Sequence, residues 1–144
     1  INQLPFNMLD RNASESGEFD GLVKDGVGTI TFSPLAQGLL SGRYLKDIPK
    51  NSRAATEGSC LAREQVTETL RGKIHKLNDL ARSRGQTLAQ MALCWNLNFA
   101  PVASVLIGAS RADQINENVD ALKKTSFSAE ELKQIHDIIR SDTA

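Results

Sequence analysis

The chain has 144 residues, of which 40% are apolar and 24% are charged, and its formal net charge is zero. These values are ordinary for a single globular domain, and the neutral charge gives no support for binding to nucleic acid. No apolar stretch approaches the roughly 18 residues that span a bilayer and no signal peptide is visible, so we expect no membrane insertion and a cytoplasmic location. Two cysteines, Cys60 and Cys94, are too few for a disulfide framework, and Cys94 is predicted to lie in the core on a helix.

The first part of the chain predicts alternating strands and helices. In order, a strand, a helix, a second strand and a long loop are predicted over residues 1–6, 15–24, 28–32 and 42–58. Gly26 is the predicted stop of the helix, and Pro34 follows the second strand directly after Ser33. Because the chain begins with Ile1 rather than Met, and inside a predicted strand, we expect it to be a fragment of a longer protein.

The second part of the chain predicts mainly helices around a third strand. Two helices, a strand and two further helices are predicted over residues 64–84, 88–97, 104–107, 111–122 and 129–140. Thr87, Ser110 and Ser128 are the predicted N-caps, and Gly85 is a predicted helix stop. This order is typical of an α/β fold with parallel strands and right-handed crossovers, although three strands alone cannot close a barrel.

Three predicted strand ends bring candidate binding residues to one rim, because the carboxyl ends of parallel strands form the binding face of such folds. The amide of Gln3 suits a carboxamide, Phe32 suits a flat heterocycle, and Ser110 at a helix start suits an anion. The Gly-rich turn after Phe32 lets backbone N–H groups approach a phosphate closely, and Arg43 and Arg53 supply positive charge.

Each of these residues also has a plainer interpretation. Phe32 alone is typical of a core aromatic, Ser110 of a helix cap, and Arg43 and Arg53 of surface charges. Their joint placement favours a ligand that carries phosphate. The sequence contains no metal-binding or nucleophile motif, and the two histidines fall on predicted helix surfaces, so it predicts a binding site without a metal or catalytic residues.

The same residues resemble the aldo-keto reductase superfamily. One matching segment runs from Phe32-Ser33-Pro34-Leu35-Ala36 to Gly42-Arg43-Tyr44 and continues through Ile48-Pro49 and Ser52-Arg53-Ala54. A second runs from Ser104 to Gly108-Ala109-Ser110, followed by Gln114, Glu117 and Asn118. The branch resembled is the one that contains bacterial L-glyceraldehyde 3-phosphate reductases and the β subunits of voltage-gated potassium channels.

The resemblance implies a (β/α)8 barrel, of which residues 1–144 supply about strands 6 to 8 with their helices as one cofactor-binding portion. It implies reduction of an aldehyde or ketone by hydride transfer from NADPH. The family's Asp, Tyr, Lys and His tetrad lies on the first four strands, so no catalytic residue is assigned and this chain alone is expected to be inactive. The alternatives are a nicotinamide-binding regulatory subunit of a channel-like partner, or an inactive fragment.

The resemblance also assigns cofactor-binding roles. Gln3 resembles the residue that binds the nicotinamide carboxamide, and Phe32 the aromatic stacked on its ring. The pyrophosphate segment includes Ser33, Pro34, Leu35, Gly38 and Arg43, with Arg53 on a flap over it. The adenosine and its 2′-phosphate are matched by Gly108, Ser110, Gln114, Glu117 and Asn118.

One departure from the family concerns the 2′-phosphate. Gly108-Ala109 and Gln114 stand where many members carry Lys-Ser and Arg, and Ser110, Arg43 or Arg53 could replace the charge that is lost with them. The implied partners are a small aldehyde or ketone and the missing N-terminal half of the barrel. A homo-oligomer is also implied as an option, because the branch contains tetramers and larger rings.

Overall fold

A computed structural model of the chain describes residues 1–50, 52–56, 58–59 and 61–141, so Cys60 lies outside the described residues. The described strands are β1 (Asn2–Pro5), β2 (Thr29–Phe32) and β3 (Val102–Val105). They pair in parallel in the order β1-β2-β3, which confirms the predicted α/β arrangement. Strand β3 begins earlier than predicted, because Val102 pairs with Thr29 and the chain leaves the sheet at Leu106, whose N–H still donates to Thr31 O.

Six α-helices are described in the same residues. They are α1 (Asn12–Glu15), α2 (Glu18–Lys24), α3 (Glu68–Ser83), α4 (Leu88–Leu97), α5 (Ala112–Asp120) and α6 (Ala129–Arg140). The predicted helix 15–24 is wrong as one element, because Gly17 adopts a φ of 85° and separates α1 from α2. Helix α3 begins later than predicted because the Thr67 hydroxyl accepts the N–H of Leu70 and caps it.

The helices cover one face of the sheet and leave the other open. Side chains alternate between faces along a strand, and residues paired in register share a face. On the covered face, Leu4, Thr29 and Thr31 are buried. On the other face, Gln3 is exposed and Phe32 is half-buried. The sheet therefore has one face that no part of the described residues covers.

An aromatic cluster fixes the helices to the covered face. The ring of Phe6, just after β1, lies 5.0 Å from Trp95 on α4, 4.7 Å from Phe19 on α2 and 4.8 Å from Phe99. The Trp95 contact is stacked, the Phe19 contact is tilted and the Phe99 contact is edge-on, and such aromatic pairs stabilise a core beyond the area that they bury. The predicted inward packing of α4 is confirmed, and Cys94 is fully buried there, where burial raises the pKa of its thiol.

Helix α6 is held against the rest of the fold by a buried arginine. The side chain of Arg84, 1% exposed, lies 2.5 Å from the carboxylate of Glu131 and stacks 3.8 Å from the ring centre of Phe127. It also donates to Gln86 Oε1 at 2.9 Å and to the Ser126 carbonyl at 3.0 Å. A guanidinium so enclosed requires all of these partners, since an unpaired buried charge is costly.

This contact predicts a loss of stability in acid. The pKa of Glu131 lies below its ordinary value of 4.5, chiefly because its carboxylate accepts the backbone N–H of Ser128; burial opposes this shift, and the hydrogen bond and charge of Arg84 add to it. The stability that the ionised Glu131 contributes is therefore fully present above its unfolded-state pKa. It is lost as the pH falls through the lower, folded-state pKa. We expect urea unfolding between pH 7 and about pH 3 to show a smaller acid-induced loss in Glu131→Gln than in the wild type. An equal loss in both proteins would contradict the assignment.

No helix among the described residues is long and apolar enough to cross a membrane.

Candidate functional site

The Gly-rich loop after β2 has an unusual backbone. Ser33, Ala36 and Gln37 adopt left-handed φ values of 55°, 47° and 58°, and Gly38 and Gly42 adopt 97° and 79°. For residues other than glycine such conformations cost on the order of 1–3 kcal/mol each, and they cluster at ligand-binding sites. Because the rest of the fold must offset that cost, this loop is the first candidate for a functional element.

Hydrogen bonds between residues close in sequence, together with two buried leucines, hold the loop in this shape. The N–H of Ala36 donates to Ser33 O and that of Gly38 to Leu35 O, each at 2.9 Å. The Ser41 hydroxyl donates to Gly38 O at 2.6 Å. Leu39 and Leu40 are buried in the core, so the end of the loop is fixed to the body of the fold.

The loop forms one wall of a cavity of about 540 Å³. The second wall is the segment that leaves β3 and enters α5. The lining residues are Ser33, Pro34, Leu35, Gln37, Gly38, Ser41, Arg43, Tyr44, Arg53, Leu106, Ile107, Gly108, Ala109, Ser110 and Gln114. This volume is within the range of small-molecule sites, and the lining combines arginines, hydroxyl groups and glycines.

Most of the predicted binding residues line this cavity. Those brought together are Ser33, Pro34, Leu35, Gly38, Arg43, Arg53, Gly108, Ser110 and Gln114. Gln3 and Phe32 lie instead on the open face of the sheet, outside the cavity. Glu117 and Asn118 lie further along α5 and do not line it either. The cofactor-binding roles assigned to all these residues, inside and outside the cavity, stay predictions.

A short segment carrying Arg53 is tied to the loop by two contacts. Arg53 Nη1 donates to Gln37 Oε1 at 2.5 Å, and the N–H of Ala54 donates to the hydroxyl of Tyr44 at 3.4 Å. The sequence alone does not single out Gln37, and it indicates Tyr44 only as part of the matched motif. Tyr44 is 1% exposed, so it has a packing role in the core. The matched motif contains this tyrosine but does not reveal that role.

The start of α5 differs from the predicted cap. Arg111, not Ser110, is the N-cap residue, and Gln114 Oε1 reaches back to it. That oxygen accepts from the N–H of Ser110 at 2.8 Å, the hydroxyl of Ser110 at 3.2 Å and the N–H of Arg111 at 3.3 Å. The prediction that Ser110 caps the helix is therefore wrong. An anion that binds here must displace the Gln114 amide oxygen, after which the same three donors are available to it.

The donor set fits a phosphate-bearing cofactor better than a metal or a nucleophilic reaction. Arg43 and Arg53 bring positive charge, and Ser33, Ser41 and Ser110 bring hydroxyl donors. Among the described residues, no group of three or more His, Cys, Asp and Glu side chains is placed to hold a metal ion. His75 on α3 and His136 on α6 are exposed, as the sequence predicts, and neither lines the cavity.

Comparison with known proteins gives one family. Residues 1–140 match the family model described as aldo/keto reductase family. The chain is 49% identical over 138 residues to L-glyceraldehyde 3-phosphate reductase of Escherichia coli, covering 94% of this chain and 40% of that protein. It is 37% identical over 124 residues to a probable voltage-gated potassium channel subunit beta of Arabidopsis thaliana, covering 85% of this chain and 38% of that protein. Both relatives belong to the branch that the sequence motifs resemble.

A solved structure agrees on the fold. The glycerol dehydrogenase AKR11B4 from Gluconobacter oxydans superposes with a TM-score of 0.77 at 24% identity, covering 95% of this chain and 41% of that one. This likeness concerns the fold alone. The chain spans about two fifths of the length of the curated relatives and of this structural neighbour.

Proposed function

The chain belongs to the aldo/keto reductase family, and on this premise we propose that the full-length protein carrying it is an NADPH-dependent reductase of aldehydes or ketones. Residues 1–144 would form the C-terminal, cofactor-binding part of a (β/α)8 barrel. One observation supports this most strongly, namely the cavity that joins the strained loop, Arg43, Arg53 and the start of α5. Two cations and several hydroxyl donors around one cavity suit the phosphates of a dinucleotide.

The proposed binding residues lie on two surfaces, the cavity and the open face of the sheet. Ser33, Gly38 and Arg43 would hold the pyrophosphate, and Ser110 the 2′-phosphate of the adenosine. Gln3 and Phe32 lie on one face of the neighbouring strands β1 and β2, which suits contact with a nicotinamide amide and ring. When bound, the cofactor would supply a hydride to the substrate carbonyl carbon. This chain's part is to bind and orient it.

The proton for the carbonyl oxygen would come from outside this chain. Tyr44 is buried and its hydroxyl accepts from Ala54, so it is poorly placed to donate to a substrate. The open sheet face and the exposed apolar side chains of Ile115 and Val119 on α5, and of Leu122 just after it, are surfaces that a remaining barrel half would cover. We propose that half as the principal partner of this chain.

A regulatory role is the second candidate. The similarity to the plant channel subunit supports it, since that protein matches the same part of the chain. In that case the same cavity would bind the nicotinamide cofactor, and the protein would act by binding a partner. Carbonyl-dependent oxidation of NADPH distinguishes the two candidates.

We expect the purified full-length protein to oxidise NADPH when L-glyceraldehyde 3-phosphate or another small aldehyde is added, measured by the loss of absorbance of NADPH. The purified 144-residue chain should show no turnover, because the cavity formed by its described residues is lined by no Asp, Glu, His or Lys side chain and the tyrosine there, Tyr44, is buried. An inactive full-length protein that nevertheless binds NADPH would favour the regulatory role. Turnover by the 144-residue chain would refute the assignment of catalysis to the rest of the protein.

A further inference from the structure

We propose that Asn7 is a positioning residue that sets the conformation of the cofactor loop, an inference that rests on the proposed function. Asn7 is 5% exposed and lies just after β1, and it does not line the cavity. Its side-chain N–H donates to Ser33 O at 3.1 Å, across a sequence separation of 26 residues. Ser33 is the residue at which the loop leaves β2 and enters the left-handed region.

The amide orientation of Asn7 is fixed by its other contacts. Its Oδ1 accepts the N–H groups of Leu9 and Asp10, each at 2.9 Å. Since backbone N–H groups can only donate and the Ser33 carbonyl can only accept, Oδ1 must face the turn and Nδ2 must face Ser33. Both polar atoms of the side chain therefore have partners, as is usual for a buried amide.

The contact continues the sheet after the backbone pairing stops. The last rung between these strands is the N–H of Phe6 donating to Phe32 O at 3.2 Å. At the next residue the backbone of β2 turns away, and the Asn7 side chain binds the Ser33 carbonyl, which the backbone of β1 does not reach. The same carbonyl also accepts the N–H of Ala36 at 2.9 Å. The hydrogen bonds from Asn7 and Ala36 therefore fix the orientation of the peptide between Ser33 and Pro34.

The direction of that peptide matters for an anionic ligand. Ser33 and Pro34 both line the cavity, and Pro34 has no N–H to anchor the peptide from the other side. A carbonyl held by buried Asn7 is kept from turning toward the cavity, where its negative end would repel a phosphate. Asn7 thereby holds the loop in the form that accepts the pyrophosphate and offsets the strain at Ser33.

The test is Asn7→Asp in the full-length protein. Aspartate keeps the oxygen that accepts from Leu9 and Asp10 but replaces the donor to Ser33 by a second acceptor. In the ligand-free protein, amide hydrogen exchange of residues 33–41 should become about tenfold faster or more. The dissociation constant for NADPH should rise about 10- to 100-fold, whereas that for 2′-AMP, which lacks the pyrophosphate, should change less than about twofold.

The matched control is Ser128→Ala, which removes the cap of α6, a helix that contributes no residue to the cavity. It should lower stability without changing loop exchange or NADPH affinity. If Asn7→Asp does not fold, Asn7→Ser is uncharged, keeps an acceptor for the turn and is too short to reach Ser33. Unchanged loop exchange, or equal weakening of both ligands, would overturn the positioning role. A wild-type protein that binds no NADPH would instead refute the proposed function, while loop exchange would still decide whether Asn7 holds Ser33.

Discussion

Replacing Arg43 with alanine should weaken NADPH binding by the full-length protein about 10- to 100-fold, and Ser110→Ala should weaken it up to about tenfold. Arg43 lines the cavity beside the strained loop, and a guanidinium that meets a phosphate forms charge-assisted hydrogen bonds. Ser110 supplies a hydroxyl and an N–H to the same acceptor position at the start of α5. Fluorescence titration with NADPH measures both effects.

A lysine on the same long loop provides the control for charge. Lys50 is exposed and does not line the cavity, so Lys50→Ala should leave NADPH affinity unchanged within about twofold at ordinary salt concentration. The loss in Arg43→Ala should also be smaller in high salt than in low salt. If Arg43→Ala and Ser110→Ala both bound NADPH as the wild type does, the phosphate assignments would be wrong.

Replacing Arg84 with alanine should destabilise the full-length protein by about 3 kcal/mol or more. The change removes the partner of Glu131, leaves the Gln86 amide oxygen and the Ser126 carbonyl without this donor, and opens a void beside Phe127. Urea unfolding followed by circular dichroism measures the free energy of unfolding, and the slope with urea shows whether the two-state description still holds.

Arg82→Ala is the matched control, since Arg82 lies in the last turn of α3 and is exposed. Its cost should be about 0.5 kcal/mol or less. Arg84→Lys should fall between the two, because lysine keeps the charge but cannot form the planar fork to two acceptors. Equal stabilities of Arg82→Ala and Arg84→Ala would contradict the role given to the buried ion pair.

Short-range signals in the sequence predicted the helices best. Thr87 with Gln90 and Ser128 with Glu131 form the expected capping boxes, and α4 has its predicted bounds. Gly85 adopts the left-handed conformation expected of a helix stop, with a φ of 73°. Such caps involve residues three or four positions apart, so the local sequence is sufficient to specify them.

Features that depend on distant partners were not predictable in this way. Strand β3 is placed by its pairing with β2, a backbone contact between segments far apart in the chain. Burial of Arg84 depends on its contacts with Ser126 and Glu131, which are distant in sequence. The sequence around residue 84 is typical of the basic C-terminal end of a helix and does not indicate burial. The separation of α1 from α2 at Gly17 shows that helical periodicity alone does not fix where a helix is interrupted.

In the candidate site, too, the sequence predicted some features and missed those that depend on contacts between residues. The motif indicated the residues of the loop and of the α5 start, and these do line one cavity. It did not indicate that Gln114 would reach back to Ser110, because helix capping by a residue four positions later competes with the simpler serine cap. Nor did it indicate Asn7, whose role follows only from the contact with Ser33 across the sheet.

The most direct measurement is equilibrium titration of the full-length protein with NADPH, followed by the change in NADPH fluorescence and repeated in the presence of 2′-AMP. The proposed function predicts saturable binding of one NADPH per chain, which 2′-AMP competes with and which Arg43→Ala weakens. Absence of saturable binding, or binding that neither 2′-AMP nor Arg43→Ala affects, would contradict it.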